Sequence, residues 1–391
     1  MDVKALDNLY IANTYNRADI CFVKGKGSLL YDDNGKEYID LGSGIAVNTF
    51  GIADDDWVKA VCEQASTLQH VSNLYYTKPQ AKLAERICEI SGMKKVFFGN
   101  SGAEANECAI KAARKYSHDK YGDGRNLIVT LKSSFHGRTV TTLSATGQDV
   151  FHTDFMPFTD GFIYAEPNDL ESMKQTLESP QICAVMMETI QGEGGINVLE
   201  NAFVKETAKI CKEKDILIII DEVQTGNGRT GKYFSYMHYG ISPDIVTTAK
   251  GIAGGLPMGA CLFNEKTGNV MTAGKHGSTF GGNPVCAAAA LSVIDRIDEK
   301  LLTGVMSKEK LIKGVLSKAK GVESVTGRGL MIGVKIKGDL KKAVSFCLNN
   351  GVVVLTAKDK IRLLPALNIP DELLLKALEV IKKAAKFSLD K

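Results

Sequence analysis

The chain has 391 residues, too many for one compact core, so two domains are expected. Hydrophobic residues make up 44% and charged residues 24%, the composition of a soluble globular protein. A net charge of +3 gives no case for nucleic acid or an anionic membrane as the main partner.

The first residues, Met1-Asp2-Val3-Lys4-Ala5-Leu6-Asp7, lack a basic region followed by an apolar core, so no secretory signal is expected. The nine cysteines are scattered and form no Cys-x-x-Cys pair, which argues against a metal or redox motif. Their odd number fits reduced, mostly buried thiols and a cytoplasmic location. The longest apolar stretch, residues 285–294, is Ala-rich and too short to span a bilayer.

Residues 24–40 read as a small β-meander that turns at Asp33-Asn34-Gly35. From about Trp57 to Ile294 strand-like and helical patterns alternate. Apolar runs occur at 96–98, 127–131, 184–187, 217–220, 245–248 and 260–263, and residues 103–116 and 203–214 read as helices. That alternation predicts an α/β fold, a mostly parallel sheet covered by helices. Residues 292–320 read as one long helical passage. Beyond it, 329–335 and 352–355 look like strands of a smaller α+β domain. A closing helix starts at Pro370-Asp371-Glu372, with Leu374, Leu375, Leu378, Val380 and Ile381 as its apolar stripe. The expected division is 56–300 for a large domain and 301–391 for a small one, joined by residues 1–55.

The most informative stretch is Ile216-Leu217-Ile218-Ile219-Ile220-Asp221-Glu222-Val223-Gln224. An apolar, mostly β-branched run stops on two carboxylates, as a strand buried on both faces does when it ends at a ligand crevice. A buried Asp needs a partner. Thr247-Thr248-Ala249-Lys250-Gly251 offers a lysine just after a second β-prone run. An acid and an amine at neighbouring strand ends suit pyridoxal phosphate, which needs a lysine for its aldehyde and an acid for its ring nitrogen.

Four further segments fall at strand ends or in loops. Gly99-Asn100-Ser101-Gly102-Ala103-Glu104 follows a strand and has capping-box spacing. Its free N–H groups suit a phosphate, although an ordinary capped helix gives the same pattern. Ser134-Phe135-His136-Gly137-Arg138 offers an aromatic that could stack on a ring and an Arg that could clamp a carboxylate; alone, these read rather as a core residue and a surface charge. His136 reads as a packed, hydrogen-bonded histidine, since no nucleophile pairs with it. Glu188-Thr189-Ile190-Gln191-Gly192-Glu193-Gly194-Gly195 is an acidic, Gly-rich loop in which Glu193 could meet an ammonium or an Arg. His276-Gly277-Ser278-Thr279-Phe280-Gly281-Gly282 puts hydroxyls beside glycines. Arg362 stands in an apolar stretch, where a buried Arg demands an anion.

Taken together, these motifs resemble the class III, fold-type I pyridoxal-phosphate aminotransferases, and among them most closely the branch that acts on acetylornithine. The likeness runs from Gly25-Lys26-Gly27 and Gly35-Lys36-Glu37-Tyr38-Ile39-Asp40 through Gly44-Ile45-Ala46-Val47 to Arg362. It implies that Lys250 carries the cofactor and that Asp221, in the Asp221-Glu222-Val223-Gln224 motif, pairs with the ring nitrogen. By the same likeness, Val223 and Phe135 enclose the ring, Gln224 nears its hydroxyl, and Ser101, Gly102 and Ala103 hold the phosphate with Thr279 from the partner subunit of a homodimer. Glu222, inside that motif, is grouped with the cofactor-binding residues. For substrates it implies Arg138 and Ser278 at the α-carboxylate of acetylornithine, and Arg362 at that of glutamate or 2-oxoglutarate. Glu193 would be a gate that pairs with Arg362.

Two departures stand out. Where the family often has Gly-His-x-His-Pro, this chain has Gly51-Ile52-Ala53-Asp54-Asp55-Asp56, and the usual Pro of the acidic loop is Thr189. Ornithine-using members typically carry a Tyr at the position of Ile45, so its absence leans away from free ornithine. Succinyldiaminopimelate, ornithine and 4-aminobutyrate remain alternative donors, and a cofactor-binding regulatory protein is the alternative outside enzymes.

Overall fold

The computed structural model describes residues 2–389. After a short helix, Val3–Tyr10, strands β1 (Phe22–Lys26), β2 (Leu29–Asp32) and β3 (Glu37–Asp40) form the expected antiparallel meander. Its second turn is held by Asp32, whose Oδ1 accepts from the N–H groups of Asn34 and Lys36, both at 2.9 Å.

Seven strands build the main sheet: β4 (Lys95–Gly99), β5 (Leu127–Leu131), β6 (Phe162–Ala165), β7 (Ile182–Met187) and, beyond a small hairpin of β8 (Ile190–Gln191) and β9 (Asn197–Val198), β10 (Leu217–Asp221), β11 (Ile245–Thr248) and β12 (Gly259–Phe263). Their order is β4-β12-β11-β10-β7-β5-β6. β12 alone runs opposite to the other six strands. The sequence reading missed β6. It is a half-buried edge strand of four residues, too short to show a period.

The central strands are buried throughout, and their side chains alternate between two cores. Ile218 and Ile220 point to one with Val185, Met187 and Phe203. Leu217 and Ile219 point to the other, where Ala105, Ala109 and Ala112 let the helix Gly102–Tyr121 lie close on the sheet.

A third core gathers β13 (Val322–Arg328), β14 (Met331–Ile336), β15 (Val352–Val353), β17 (Lys360–Leu363) and the helices Glu299–Leu316, Leu340–Asn349 and Asp371–Phe387, with Leu41 from the N-terminal segment; β16 (Leu355–Ala357) packs instead in a small cluster with Ala46 and Ile190. β15 pairs with β3, and β17 lies between β14 and β16. The expected passage 292–320 is broken. One helix ends at Ile294, and Asp298 caps the next by accepting from Leu301 N–H at 2.8 Å. The stretch 352–355 likewise divides between two sheets. In the closing helix the buried stripe is Leu374, Ala377, Leu378, Ile381, Ala384 and Ala385, whereas Leu375 is 42% exposed. The small alanines carry the periodicity there. Among the described residues no helix is long and apolar enough to cross a membrane.

Candidate active site

The carboxyl ends of β4, β5, β7, β10 and β11 surround a cavity of about 470 Å³. Ser101, Gly102, Ala103, Phe135, Arg138, Glu193, Asp221, Val223, Gln224 and Lys250 all line it. Ser101 and Lys250, 149 positions apart in sequence, meet there, as the strand ends of an open α/β sheet require.

Asp221 ends β10 and is buried. Its Oδ2 accepts from Asn106 Nδ2 and from His136 Nδ1, each at 2.8 Å, and its Oδ1 accepts from Val223 N–H at 2.9 Å. Asn106 also donates to the His136 carbonyl at 2.7 Å and accepts from Thr247 Oγ1 at 2.6 Å. Burial would pull the His136 imidazole down, but the hydrogen bond and charge of Asp221 hold it above the usual range. The structure therefore gives His136 the packed, hydrogen-bonded place expected, with Asp221 as its partner.

Lys250 follows β11, at φ +46°, and opens the turn Lys250–Ala253. A left-handed backbone at a residue with a Cβ is uncommon and costs on the order of 1 kcal/mol, so the surrounding packing must hold it. Burial pushes the Lys250 amine below the ordinary lysine range; Glu193 opposes that shift and Arg362 adds to it. Such an amine can lose its proton and act as a nucleophile or base.

Arg362, on β17, does not itself line the cavity; it stands behind Glu193 and Gln224, which do. It is buried, and its Nη1 contacts Glu193 Oε1 at 2.5 Å and Gln224 Oε1 at 3.3 Å. Burial alone would raise the Glu193 carboxyl, but Arg362 holds it below its ordinary value. Arg138 is exposed, with its guanidinium 4.4 Å from the ring centre of Phe151 and 5.6 Å from that of Phe135. Among the described residues it has no carboxylate partner.

At the start of the helix Gly102–Tyr121, Ser101 Oγ accepts from Glu104 N–H at 3.2 Å. The Glu104 carboxylate bonds back to Asn100 rather than to Ser101. The N–H groups of Gly102 and Ala103 have no helical acceptor and are free for an anion. Gly102 has no substitute here, because a Cβ would lie 2.7 Å from Val223 Cγ1.

Three expected residues stand elsewhere. Glu222 does not line the cavity. Its carboxylate accepts from Thr225 Oγ1 at 2.6 Å and Tyr236 N–H at 2.7 Å, because side chains alternate at the end of a strand and Asp221 takes the cavity side. Ser278 Oγ accepts from Asn100 Nδ2 at 3.1 Å and Gly281 N–H at 3.0 Å, one layer behind the cavity wall. Thr279 lines a separate, small cavity with His70 and Asn73.

Val47, Asn100, Asn106, Glu188 and residues 255–258 also line the cavity, and the sequence reading gave them no role. Asn106 carried a signal: it is a polar residue on the Ala-rich face of a buried helix. Val47 follows the run Ser43–Ala46, whose φ values are all positive, from 47° to 67°. That run is held by Asp40 Oδ1, which accepts from Gly42 and Ser43 N–H. Ile45, within it, is 41% exposed and not part of the cavity wall.

In place of the Gly-His-x-His-Pro pattern, Asp54 caps the helix Asp55–Thr67 by accepting from Trp57 N–H at 3.0 Å and pairs with Arg296 at 2.7 Å. Thr189, in place of Pro, donates to Ser235 Oγ at 2.7 Å. Both departures are absorbed by local hydrogen bonds; on the first, Trp57 also donates from Nε1 to the Ala253 carbonyl, in the turn that Lys250 opens, at 2.9 Å.

The residues present fit pyridoxal phosphate. Asp221 supplies a buried carboxylate, Lys250 an amine of lowered pKa, the helix start unpaired N–H groups, and Phe135 and Val223 apolar walls.

Comparison with known proteins agrees. The family model "Aminotransferase class-III" matches residues 10–385. An acetylornithine aminotransferase of Haemophilus ducreyi is 50% identical over 381 residues, 97% of each chain. The N-acetylornithine aminotransferase structure from Stenotrophomonas maltophilia is 32% identical, with a TM-score of 0.85 and 98% of each chain covered. An ornithine aminotransferase structure from Toxoplasma gondii, with partial occupancy of PLP at its active site, is 30% identical with a TM-score of 0.94, covering 98% of this chain and 94% of that one. With a match over nearly its whole length, the chain belongs to the class III aminotransferases.

Proposed function

We propose that this aminotransferase moves the distal amino group of N2-acetyl-L-ornithine to 2-oxoglutarate, giving N-acetylglutamate 5-semialdehyde and L-glutamate, with pyridoxal phosphate as cofactor. The observation that carries the reading is the buried Arg362 paired with Glu193, which lines a cavity that also holds an unpaired arginine, Arg138. Two carboxylate receptors, one of them masked by an acid, suit an enzyme that must accept two unlike substrates in turn. The similarity to acetylornithine aminotransferases supports the donor.

When bound, the cofactor supplies an electron sink and carries the amino group between substrates. Asp221, held by Asn106 and His136, keeps its charge aimed at the ring nitrogen. Lys250 would hold the cofactor's aldehyde, and its amine of lowered pKa would serve as the general base that moves a proton at the reacting carbon. The Gly102 and Ala103 N–H groups, with Ser101, would hold the phosphate. Arg138 clamps the α-carboxylate of acetylornithine while Glu193 covers Arg362. Glu193 swings away when glutamate brings a second carboxylate.

A homodimer is part of this reading. Leu74, Tyr75 and Tyr76 are strongly exposed, and Asn73 beside them donates to the carbonyls of Ser278 and Gly281, flanking Thr279. An apolar patch of that kind favours a protein partner, which would bring Thr279 to the other subunit's phosphate. A large unit of 56–300, a small one of 301–391 and a cytoplasmic location complete the proposal; the third core, with Leu41 in it, supports assigning the N-terminal segment to the small unit.

The likeness to an ornithine aminotransferase favours free ornithine as the second reading. The test is to mix cofactor-loaded protein with single amino donors, without 2-oxoglutarate, and follow the visible band by stopped flow. Faster conversion by N-acetylornithine than by ornithine or 4-aminobutyrate is expected. Faster conversion by either of the others would keep the chemistry and overturn the donor.

A further inference from the structure

Glu188 stands just beyond β7, at the strand end next to Asp221, 6% exposed and lining the cavity. Its two oxygens are divided between two loops. Oε2 accepts from Phe135 N–H at 2.9 Å, and Oε1 accepts from Gly192 N–H at 3.1 Å. The first loop carries Phe135 and Arg138. The second carries Glu193, the partner of Arg362.

Little slack exists on the second side. A Cβ at Gly192 would lie 2.6 Å from Gln224 Oε1, the same oxygen that accepts from Arg362 Nη1. Gly192 therefore packs directly against the Gln224 carboxamide, which in turn contacts Arg362. Burial pushes the Glu188 carboxyl up to about 7, with nearby Asp221 adding to that shift and His136 and the two N–H donors opposing it. An acid this buried, with both oxygens used by backbone donors, is built to hold positions rather than to meet solvent.

We propose that Glu188 is a positioning residue that fixes the Phe135–Arg138 loop and the Glu193 gate at one spacing, and so sets the balance between the two half-reactions. This rests on the roles proposed above for Phe135, Arg138 and Glu193. A carboxylate offers acceptors to both loops; a carboxamide has one acceptor oxygen and turns a donor NH₂ toward the other N–H. In Glu188→Gln one loop comes loose.

The experiment uses the full-length, cofactor-loaded protein. N-acetylornithine and glutamate both react with the same loaded form, so their single-turnover rates in separate mixes give a ratio that reports the gate. For E188Q this ratio is expected to move toward glutamate by roughly 5- to 10-fold, the worth of about one hydrogen bond. Hydrogen exchange at the Phe135 or Gly192 amide should rise by about the same factor. Glu188→Asp keeps the charge but is one methylene too short to span both loops, so it should move the ratio the same way if E188Q does not fold. An equal fall in both rates would overturn the proposal, since a merely structural role predicts that. A changed ratio with both amides exchanging as in the wild type would also overturn it. If the wild type does not convert N-acetylornithine, the proposed donor is wrong, and the exchange measurement still decides whether Glu188 clamps the loops.

Discussion

The two ends of the cavity are built on opposite principles. At Asp221, three donors from three segments converge on one carboxylate, and Asn106 is itself fixed by Thr247. At Arg362 a single acid, Glu193, holds the buried guanidinium, and its side chain is 31% exposed. Arg362 Nε has no partner among the described residues. A fully bonded charge stays where it is, whereas a buried cation with a spare donor and a half-exposed partner can exchange one anion for another. The difference separates what must stay constant through both half-reactions from what must change between them.

Breaking the constant end should have the largest effects. Lys250→Ala removes the proton-transfer base, so turnover should fall by about 10⁴-fold, measured with both substrates present. Residual activity within a hundredfold of the wild type would remove Lys250 from that role. Asp221→Asn keeps the shape but loses the charge facing His136. Disrupting a buried pair costs on the order of 3–5 kcal/mol, which corresponds to a loss of roughly 10²- to 10⁴-fold if it falls on the transition state. Both half-reactions should suffer alike; a loss confined to one would mean that Asp221 reads substrate rather than cofactor. The exchangeable end should respond differently. Glu193→Ala frees Arg362 and should shift the N-acetylornithine-to-glutamate rate ratio toward glutamate by about 5- to 30-fold, as expected for a partly exposed pair worth on the order of 1–2 kcal/mol. Equal losses with both donors would refute the gate.

The constant end was also the more legible in sequence. An apolar run ending in Asp221 and a β-prone run followed by Lys250 are local patterns, and each strand's burial is written in its own residues. The helix start at Ser101 was legible for the same reason. What escaped was set by tertiary context. Glu188 lies in the same loop as Glu193 and looks like it in sequence; the likeness gave Glu193 its pairing with Arg362, but nothing local marks Glu188 as the acid that backbone donors fix. Glu222 was grouped with Asp221 because they are adjacent, and the alternation of the strand sends it to the opposite side. β6 and the break at 295–298 were missed because a half-buried edge strand and a helix cap leave little periodic signal.

Adjacent acids with opposite surroundings allow the comparison to be sharpened by pH. Asp221 is met by His136 and Asn106; Glu222 is met only by neutral donors, and burial pushes its carboxyl up to about 7 from an ordinary 4.5. A carboxyl raised on folding binds its proton more tightly in the native state. Its contribution to stability is therefore complete below about pH 4.5 and is lost as pH rises through about 7. The full effect is about 3 kcal/mol at most. Glu222→Gln is uncharged at every pH and should lack this decline. Between pH 5 and 8 the Tm of the wild type should therefore fall further than that of E222Q, by roughly 3–6 °C in a chain of this size. Other raised groups, Glu188 among them, are common to both proteins and cancel in the difference. Parallel Tm curves would show that Glu222 remains ionised in the fold, and that the neutral donors of Thr225 and Tyr236 suffice to hold a buried charge with no cation beside it.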